Sequence, residues 1–438
     1  MKDSFCSSPW FHIGIDSAGN FFPCRWSKTI NHKLTYNIAD IDFVEFINSI
    51  TMREIRSNLL NGNVPMMCNA CQYEDKHHKV SGRQKQLLKS GIRVDTFDKS
   101  FCASPHYELF EYSFKNDGAT DYLPVDFQID LGNTCNSSCI MCSPMYSSKL
   151  VKDYQKLNLI EPDLFQNYPP FKNWADDPIL VDKFINNLSK MPNIKYLHFL
   201  GGETLYLKSF YNICNKLIKL GLAKDICIGT TTNCTVYTAE LENIIKQFKH
   251  VHLGLSIESL HPINNYVRWP SEINNVISNI KKFLILRQQT TLHLTLRITP
   301  TIFTIYHLDS IFEFMIEHSI TAESCNILWE PSYLRFELLP IELINQILDK
   351  FNKLILKYKL VPNKQIIINR RHDNLVLPVI NDLIFEYKYL LETYQIPDNI
   401  ESECYNLIKF IKAFESLRNN CILDYLPEYE EFLRSYGY

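Results

Sequence analysis

The chain has 438 residues, more than one ordinary domain needs, with 46% hydrophobic and 21% charged residues, close to globular averages. A formal net charge of -3 gives no pull toward nucleic acid or anionic lipid. The start MKDSFCSSPW has no apolar run behind its lysine and no stretch of eighteen apolar residues follows, so the reading is a cytoplasmic protein with no membrane partner.

Residues 1–90 read as a small α+β module. Short strands at Phe11–Ile15 and Phe21–Phe22 flank the turn Asp16-Ser-Ala-Gly19-Asn20, and a helix is expected near Asp42–Leu60. The chain has fourteen cysteines, which in a reducing compartment point to metal ligands or redox groups before disulfides. Four of them, Cys6, Cys24, Cys68 and Cys71, fall in this module. A turn with φ > 0 at Gly19 lets a hairpin bring Cys6 and Cys24 together, and Cys68-x-x-Cys71 supplies the other half of a closed four-thiolate site. That site suits an iron–sulfur cluster or a structural zinc ion. The basic run Lys76-His77-His78-Lys79 reads as a solvated helix face, and residues 91–123 as a linker.

From Pro124 strand-length apolar runs alternate with helical periods, which argues for successive strand–helix units around a parallel sheet. The strands are Val125–Leu131, Ile194–Leu200, Ile226–Thr230, Val251–Ile257, Leu292–Ile298 and Ser324–Trp329, with amphipathic helices such as Lys208–Leu220 and Ile273–Leu286 between them. Six units make an α/β partial (β/α)6 TIM-like barrel over residues 124–332. Lys152–Asp177, weakly periodic, reads as an insertion and candidate lid, and residues 333–438 as a helical C-terminal region.

The loop after the first barrel strand carries Cys135-Asn-Ser-Ser-Cys139-Ile-Met-Cys142, at the end of the strand where barrels place their chemistry. Thiolates this close can wrap one cluster, and three rather than four leave one iron open for a chelating ligand. A zinc site and three buried thiols are the competing readings; no fourth ligand follows nearby, the next histidine being His198. The remaining seven cysteines, Cys102, Cys214, Cys227, Cys234, Cys325, Cys404 and Cys421, read as ordinary thiols, with Cys234 and Cys325 near strand ends as remote candidates for hydrogen donation.

This Cys-x3-Cys-x2-Cys element resembles the signature of the radical S-adenosylmethionine (SAM) superfamily, and the resemblance runs from about Val125 to Trp329. It implies that Cys135, Cys139 and Cys142 hold a four-iron four-sulfur cluster whose open iron binds SAM, and that reductive cleavage yields a 5′-deoxyadenosyl radical that removes hydrogen from substrate. Gly201-Gly202-Glu203 resembles the family's element for the methionyl ammonium. Ser256-Ile-Glu258-Ser259, with Arg268 beyond it, resembles the element near the SAM ribose and carboxylate, with Glu258 and Ser259 in place of Asp and Gly. Thr232-Asn233 resembles the turn after the third strand, and Ile140 stands where an aromatic usually lies near the adenine.

The N-terminal module resembles a twitch, or SPASM-like, auxiliary-cluster domain placed before the barrel instead of after it, with Pro9-Trp10, Glu74 and Ser81 to Arg83 as further matches and His77 where a full SPASM pattern has a cysteine. The resemblance implies a second four-iron four-sulfur cluster on Cys6, Cys24, Cys68 and Cys71, and a reducing partner such as flavodoxin or ferredoxin. It points to a peptide substrate undergoing cross-linking, oxidation or epimerisation, with dehydrogenation or rearrangement of a small sugar or amino alcohol as the second reading. A zinc-stabilised RNA- or protein-binding module is the reading from another class. Arg370-Arg371-His372 reads as surface, and no substrate-specific catalytic residue stands out.

Overall fold

The computed structural model describes residues 4–24, 36–76, 81–92, 106–169, 171–322, 328, 330–361 and 380–438. His77, His78, Lys79, Cys102, Cys325, the arginine pair at 370–371 and nearly all of the expected strand at 324–329 lie outside the described residues. No described helix is long and apolar enough to cross a membrane.

Eight strands form one sheet among the described residues. They are β1 (His12–Ile15), β2 (Phe21–Phe22), β3 (Asp126–Asp130), β4 (Tyr196–Leu200), β5 (Cys227–Thr232), β6 (His250–Ser256), β7 (Leu292–Arg297) and β8 (Thr321–Ala322). The order is β2-β1-β3-β4-β5-β6-β7-β8, parallel throughout except for the β1–β2 hairpin. Gly19 closes that hairpin with φ +91° and its N–H on the Asp16 carbonyl at 2.9 Å, a backbone conformation that a side chain resists.

Where the sequence suggests a module set apart, β1 lies directly against the barrel, pairing with β3 from His12 opposite Asp126 to Ile15 opposite Ile129. All four of its residues are buried, so both of its faces are covered. The expected helix at Asp42–Leu60 is two helices, Phe43–Ile47 and Ile50–Leu60, because the Ser49 hydroxyl accepts from the Met52 N–H and starts a new helix there.

The stretch read as a linker contains a helix, Tyr107–Lys115, whose fully buried Phe110 packs with Phe5, Trp10 and Phe11 in a small second core. Trp10 donates its indole N–H to Ser113 at 2.9 Å. Buried Arg56 ties the region together by donating to the carbonyls of Pro9, Ile47 and Gly118, at 3.0, 2.5 and 2.6 Å. Burial lowers its pKa to about 9, so these carbonyls replace water as its solvation.

Around the barrel strands the helices bury one stripe each, as Lys208–Lys219 does through Phe210, Ile213, Cys214 and Leu217. The Lys152–Asp177 insertion packs back on the body: the Trp174 indole N–H bonds the Asp130 carbonyl at 2.8 Å, and Phe165 stacks on Phe410 with centroids 5.7 Å apart. Phe410 belongs to the C-terminal helix Ile400–Arg418, which packs on Ser148–Leu157, while Ile341–Tyr358 and Ile380–Glu392 pack on each other and on the helix Leu308–His318.

Candidate functional site

The three-cysteine loop leaves β3 and wraps the start of the helix Ser148–Leu157. The Ser147 hydroxyl donates to the Ser137 carbonyl at 2.7 Å, Lys149 donates to the Asn136 carbonyl at 2.8 Å, and the Cys135 N–H reaches the Ser148 hydroxyl at 3.4 Å. Asn233, in the turn after β5, donates to Asn136 Oδ1 at 2.9 Å and to the Ser137 hydroxyl at 3.1 Å. The loop is therefore stitched from both sides.

Against it lies the turn Gly201-Gly202-Glu203 at the end of β4. The Gly202 and Glu203 N–H groups donate to the carbonyls of Gly132 and Thr134 at 2.9 and 3.2 Å. Gly201 sits at φ +143°, and a Cβ on Gly202 would lie 2.4 Å from the Thr134 oxygen, so only glycine permits this approach. The Glu203 carboxylate, 2% exposed, accepts from the Thr232 hydroxyl at 2.8 Å, the Asn233 N–H at 2.7 Å and the Leu205 N–H at 3.2 Å. Burial outweighs these donors and pushes its pKa up to about 7.

The third part follows β6. Buried Glu258 takes a two-pronged bond from Arg268, at 2.9 and 2.7 Å, and Arg268 also donates to the Ser256 hydroxyl at 3.0 Å and to Cys139 Sγ at 3.8 Å. Burial opposes the guanidinium charge, but Glu258 and the nearby thiols raise its pKa above the usual arginine range. The loop carrying Arg268 runs beside the cysteine loop, the Ser138 and Ile140 N–H groups bonding the carbonyls of Trp269 and Val267 at 2.6 and 2.9 Å.

Cys135, Cys139, Cys142, Gly201, Gly202, Glu203, Ser256, Glu258 and Arg268 all line one cavity of about 290 Å³ at the C-terminal ends of the strands. Ile140 does not: it is 2% exposed in the main core, and the cavity wall holds Met141 instead. Cys234 is fully buried off this wall, with its thiol on the Thr232 carbonyl at 3.6 Å. Ser137 and Asn233 line the same cavity, and neither is marked by a signature of its own beyond the Thr-Asn turn.

Burial pushes the thiols up, Cys135 and Cys142 to about 12, so the thiol form is favoured until a bound metal offsets the charge of the thiolates. Among the described residues no three His, Cys, Asp or Glu side chains gather as ligands of a single metal ion. Three soft thiols spread over one cavity wall, with no fourth beside them among the described residues and a guanidinium at hand to offset negative charge, fit a multi-iron cluster with one open iron.

A second cavity of about 570 Å³ is lined by Cys6, Cys24, Cys68 and Cys71 together with polar groups of the barrel interior. Cys6 feels each of the other three thiols, and burial raises Cys68 to about 12 and Cys71 to about 11. Arg83 stands beside this set, bonded to Asp75 at 2.7 Å and to the Phe5 carbonyl at 3.2 Å. Gln128, Tyr196, His198, His252 and Arg297 point inward from the strands where a barrel of this kind usually carries branched apolar residues. Burial works against the Asp126 charge, yet His12 and Lys89 hold its carboxyl down to about 2. Arg297 connects the cavities, donating to Thr231 of the first wall at 2.7 Å.

A parallel α/β barrel with a three-cysteine loop, a Gly-Gly-Glu turn and a buried Glu–Arg pair around one cavity at its strand ends defines a cofactor-dependent enzyme class. Residues 129–298 match the family model of the radical SAM superfamily, whose enzymes use a four-iron four-sulfur cluster and SAM. Among solved structures the chain is similar to Streptococcus suis SuiB bound to precursor peptide SuiA, at 14% identity and TM-score 0.37, over 74% of this chain and 66% of that one. It is also similar to native anSMEcpe with bound AdoMet, at 15% identity and TM-score 0.37, over 54% of this chain and 62% of that one. The match spans less than two thirds of either solved chain. No curated protein matches the sequence.

Proposed function

We propose that the chain uses Cys135, Cys139 and Cys142 to hold the SAM-binding cluster, and Cys6, Cys24, Cys68 and Cys71 to hold a second one. Bound there, the first cluster with SAM and an external one-electron reductant would supply hydrogen-atom abstraction from substrate, and the second would supply an electron acceptor. The observation that carries this reading is the single cavity on which the three thiols, the Gly-Gly-Glu turn and the Glu258–Arg268 pair converge.

The chain's own residues then have definite tasks. Gly201 and Gly202 bring backbone close to the ligand, and the Glu203 carboxylate, aimed by Thr232 and Asn233, accepts the methionyl ammonium. Arg268, fixed by Glu258, orients Ser256 toward the rest of SAM and offsets charge at Cys139.

The substrate we assign is a peptide that is cross-linked, oxidised or epimerised. Supporting cross-linking and oxidation is the four-thiol wall, which shares its cavity with the barrel interior and would accept the further electron that those two outcomes release. A second reading, a small sugar or amino alcohol, draws support from the polar lining of that cavity, where Gln128, His198 and His252 can satisfy hydroxyl groups. The test is the reduced-cluster electron paramagnetic resonance (EPR) spectrum with and without SAM. A SAM-dependent change in wild type that is lost in the Cys135→Ala/Cys139→Ala/Cys142→Ala variant is expected; a spectrum indifferent to SAM in an iron-replete wild type would overturn the assignment.

A further inference from the structure

Arg418 ends the helix Ile400–Arg418, 280 positions along the chain from Ser138, yet its side chain is only 3% exposed and its guanidinium lies against the three-cysteine loop. Nη2 donates to the Ser138 carbonyl at 2.5 Å, to the Ser138 hydroxyl at 3.2 Å and to Asp153 at 3.3 Å, and Nη1 reaches the Tyr266 carbonyl at 3.5 Å. The guanidinium also covers the Phe414 ring at 4.4 Å, which holds it flat in one orientation. One planar fork thus joins the cysteine loop, the segment leading into Arg268 and the helix Ser148–Leu157.

Ser138 sits next to Cys139 and has little freedom left. Its N–H is on the Trp269 carbonyl at 2.6 Å, its carbonyl is on Arg418, and its hydroxyl donates to Asp153. We propose that Arg418 is a positioning residue through which the C-terminal helix fixes the cysteine loop and sets the electrostatic field at Cys139. Replacing Arg418 leaves Asp153 uncompensated beside the loop, and replacing Asp153 leaves Arg418 uncompensated. The two changes therefore push a neighbouring cluster's potential in opposite directions, whereas mere loosening of the fold does not.

The proposal rests on the reading that Cys135, Cys139 and Cys142 carry the cluster, and its test has one arm that needs no iron. In the iron-free full-length protein, Arg418→Gln is expected to speed amide hydrogen exchange across residues 135–142 at least about tenfold relative to wild type, the loss of roughly one charged hydrogen bond. Unchanged exchange overturns the anchor. In reconstituted protein, followed through the SAM-responsive EPR signal, Arg418→Gln is expected to lower the midpoint potential and Asp153→Asn to raise it. Arg418→Lys should keep the potential near wild type while exchange stays fast, because charge is retained and the fork is lost. Shifts of the same sign, or none, overturn the electrostatic role. Should Arg418→Gln fail to fold, Arg418→Lys carries the exchange arm, with faster exchange expected, and Asp153→Asn carries the potential arm, with a raised midpoint expected. Failure of wild type to load iron on the three cysteines contradicts the cluster reading, and the exchange arm then decides the anchor alone.

Discussion

The Thr232 hydroxyl donates to the Glu203 carboxylate at 2.8 Å, joining the turn after β4 to the end of β5 at the floor of the candidate cofactor cavity. Glu203 is pushed up to about 7 by burial, so near neutral pH the empty site holds it partly protonated. A raised carboxyl pKa stabilises the folded protein below its ordinary value near 4.5, and that stability is lost as pH rises through about 7. Binding an ammonium requires the carboxylate, so SAM affinity should fall as pH drops below about 7, by up to about tenfold per unit. Glu203→Gln should weaken binding and flatten this slope. Titration of SAM into reconstituted protein between pH 6 and 8 checks it, and equal slopes in both proteins would remove Glu203 from the ligand site.

Glu258 and Arg268 form a buried, two-pronged ion pair at 2.7 and 2.9 Å. Arg268→Met leaves an unpaired carboxylate in the interior and should cost about 3–5 kcal/mol of stability. Arg268→Met/Glu258→Met should cost less than Arg268→Met alone, since neither charge then remains. Urea unfolding of the iron-free proteins measures both, and additive losses would show that the two side chains act independently.

At Gly202 an added Cβ meets the Thr134 carbonyl oxygen at 2.4 Å, a backbone atom that cannot turn aside. Gly202→Ala should therefore separate the two loops, keep the barrel folded by circular dichroism, and weaken SAM binding at least about tenfold, or roughly 1.4 kcal/mol. Binding within twofold of wild type would place SAM elsewhere.

For the N-terminal thiols the expectation concerns metal identity. Cys68→Ala/Cys71→Ala should lower the iron content of anaerobically reconstituted protein while keeping the SAM-dependent EPR change, which belongs to the other three cysteines. Metal analysis that finds zinc lost from this variant, with iron unchanged, would make the N-terminal site structural.

Much of this arrangement is written locally in the chain. Strands β3 to β7 fall within two residues of the runs read from sequence, because each is a short apolar alternation bounded by turn residues. The site residues from Cys135 to Arg268 are legible for the same reason, since each follows a strand that the barrel brings to one end. What stays hidden depends on distant partners. Nothing in His12–Ile15 announces that it pairs with β3, and Phe110 reads as part of a linker until Phe5 and Trp10 close over it. Ile140 faces the core because its N–H is taken by Val267, a contact 127 positions away in sequence that no local pattern encodes. Arg418 is an ordinary last-turn arginine in sequence and acquires its place only through packing on Ser138 and Asp153.

The central claim is that three cysteines on one loop arm SAM for hydrogen abstraction. Its most direct test is formation of 5′-deoxyadenosine from SAM by anaerobically reconstituted protein with a strong reductant, wild type against Cys135→Ala/Cys139→Ala/Cys142→Ala. Product from wild type alone is the predicted result. Equal product from both proteins, or none from a wild type fully loaded with iron, would contradict the account.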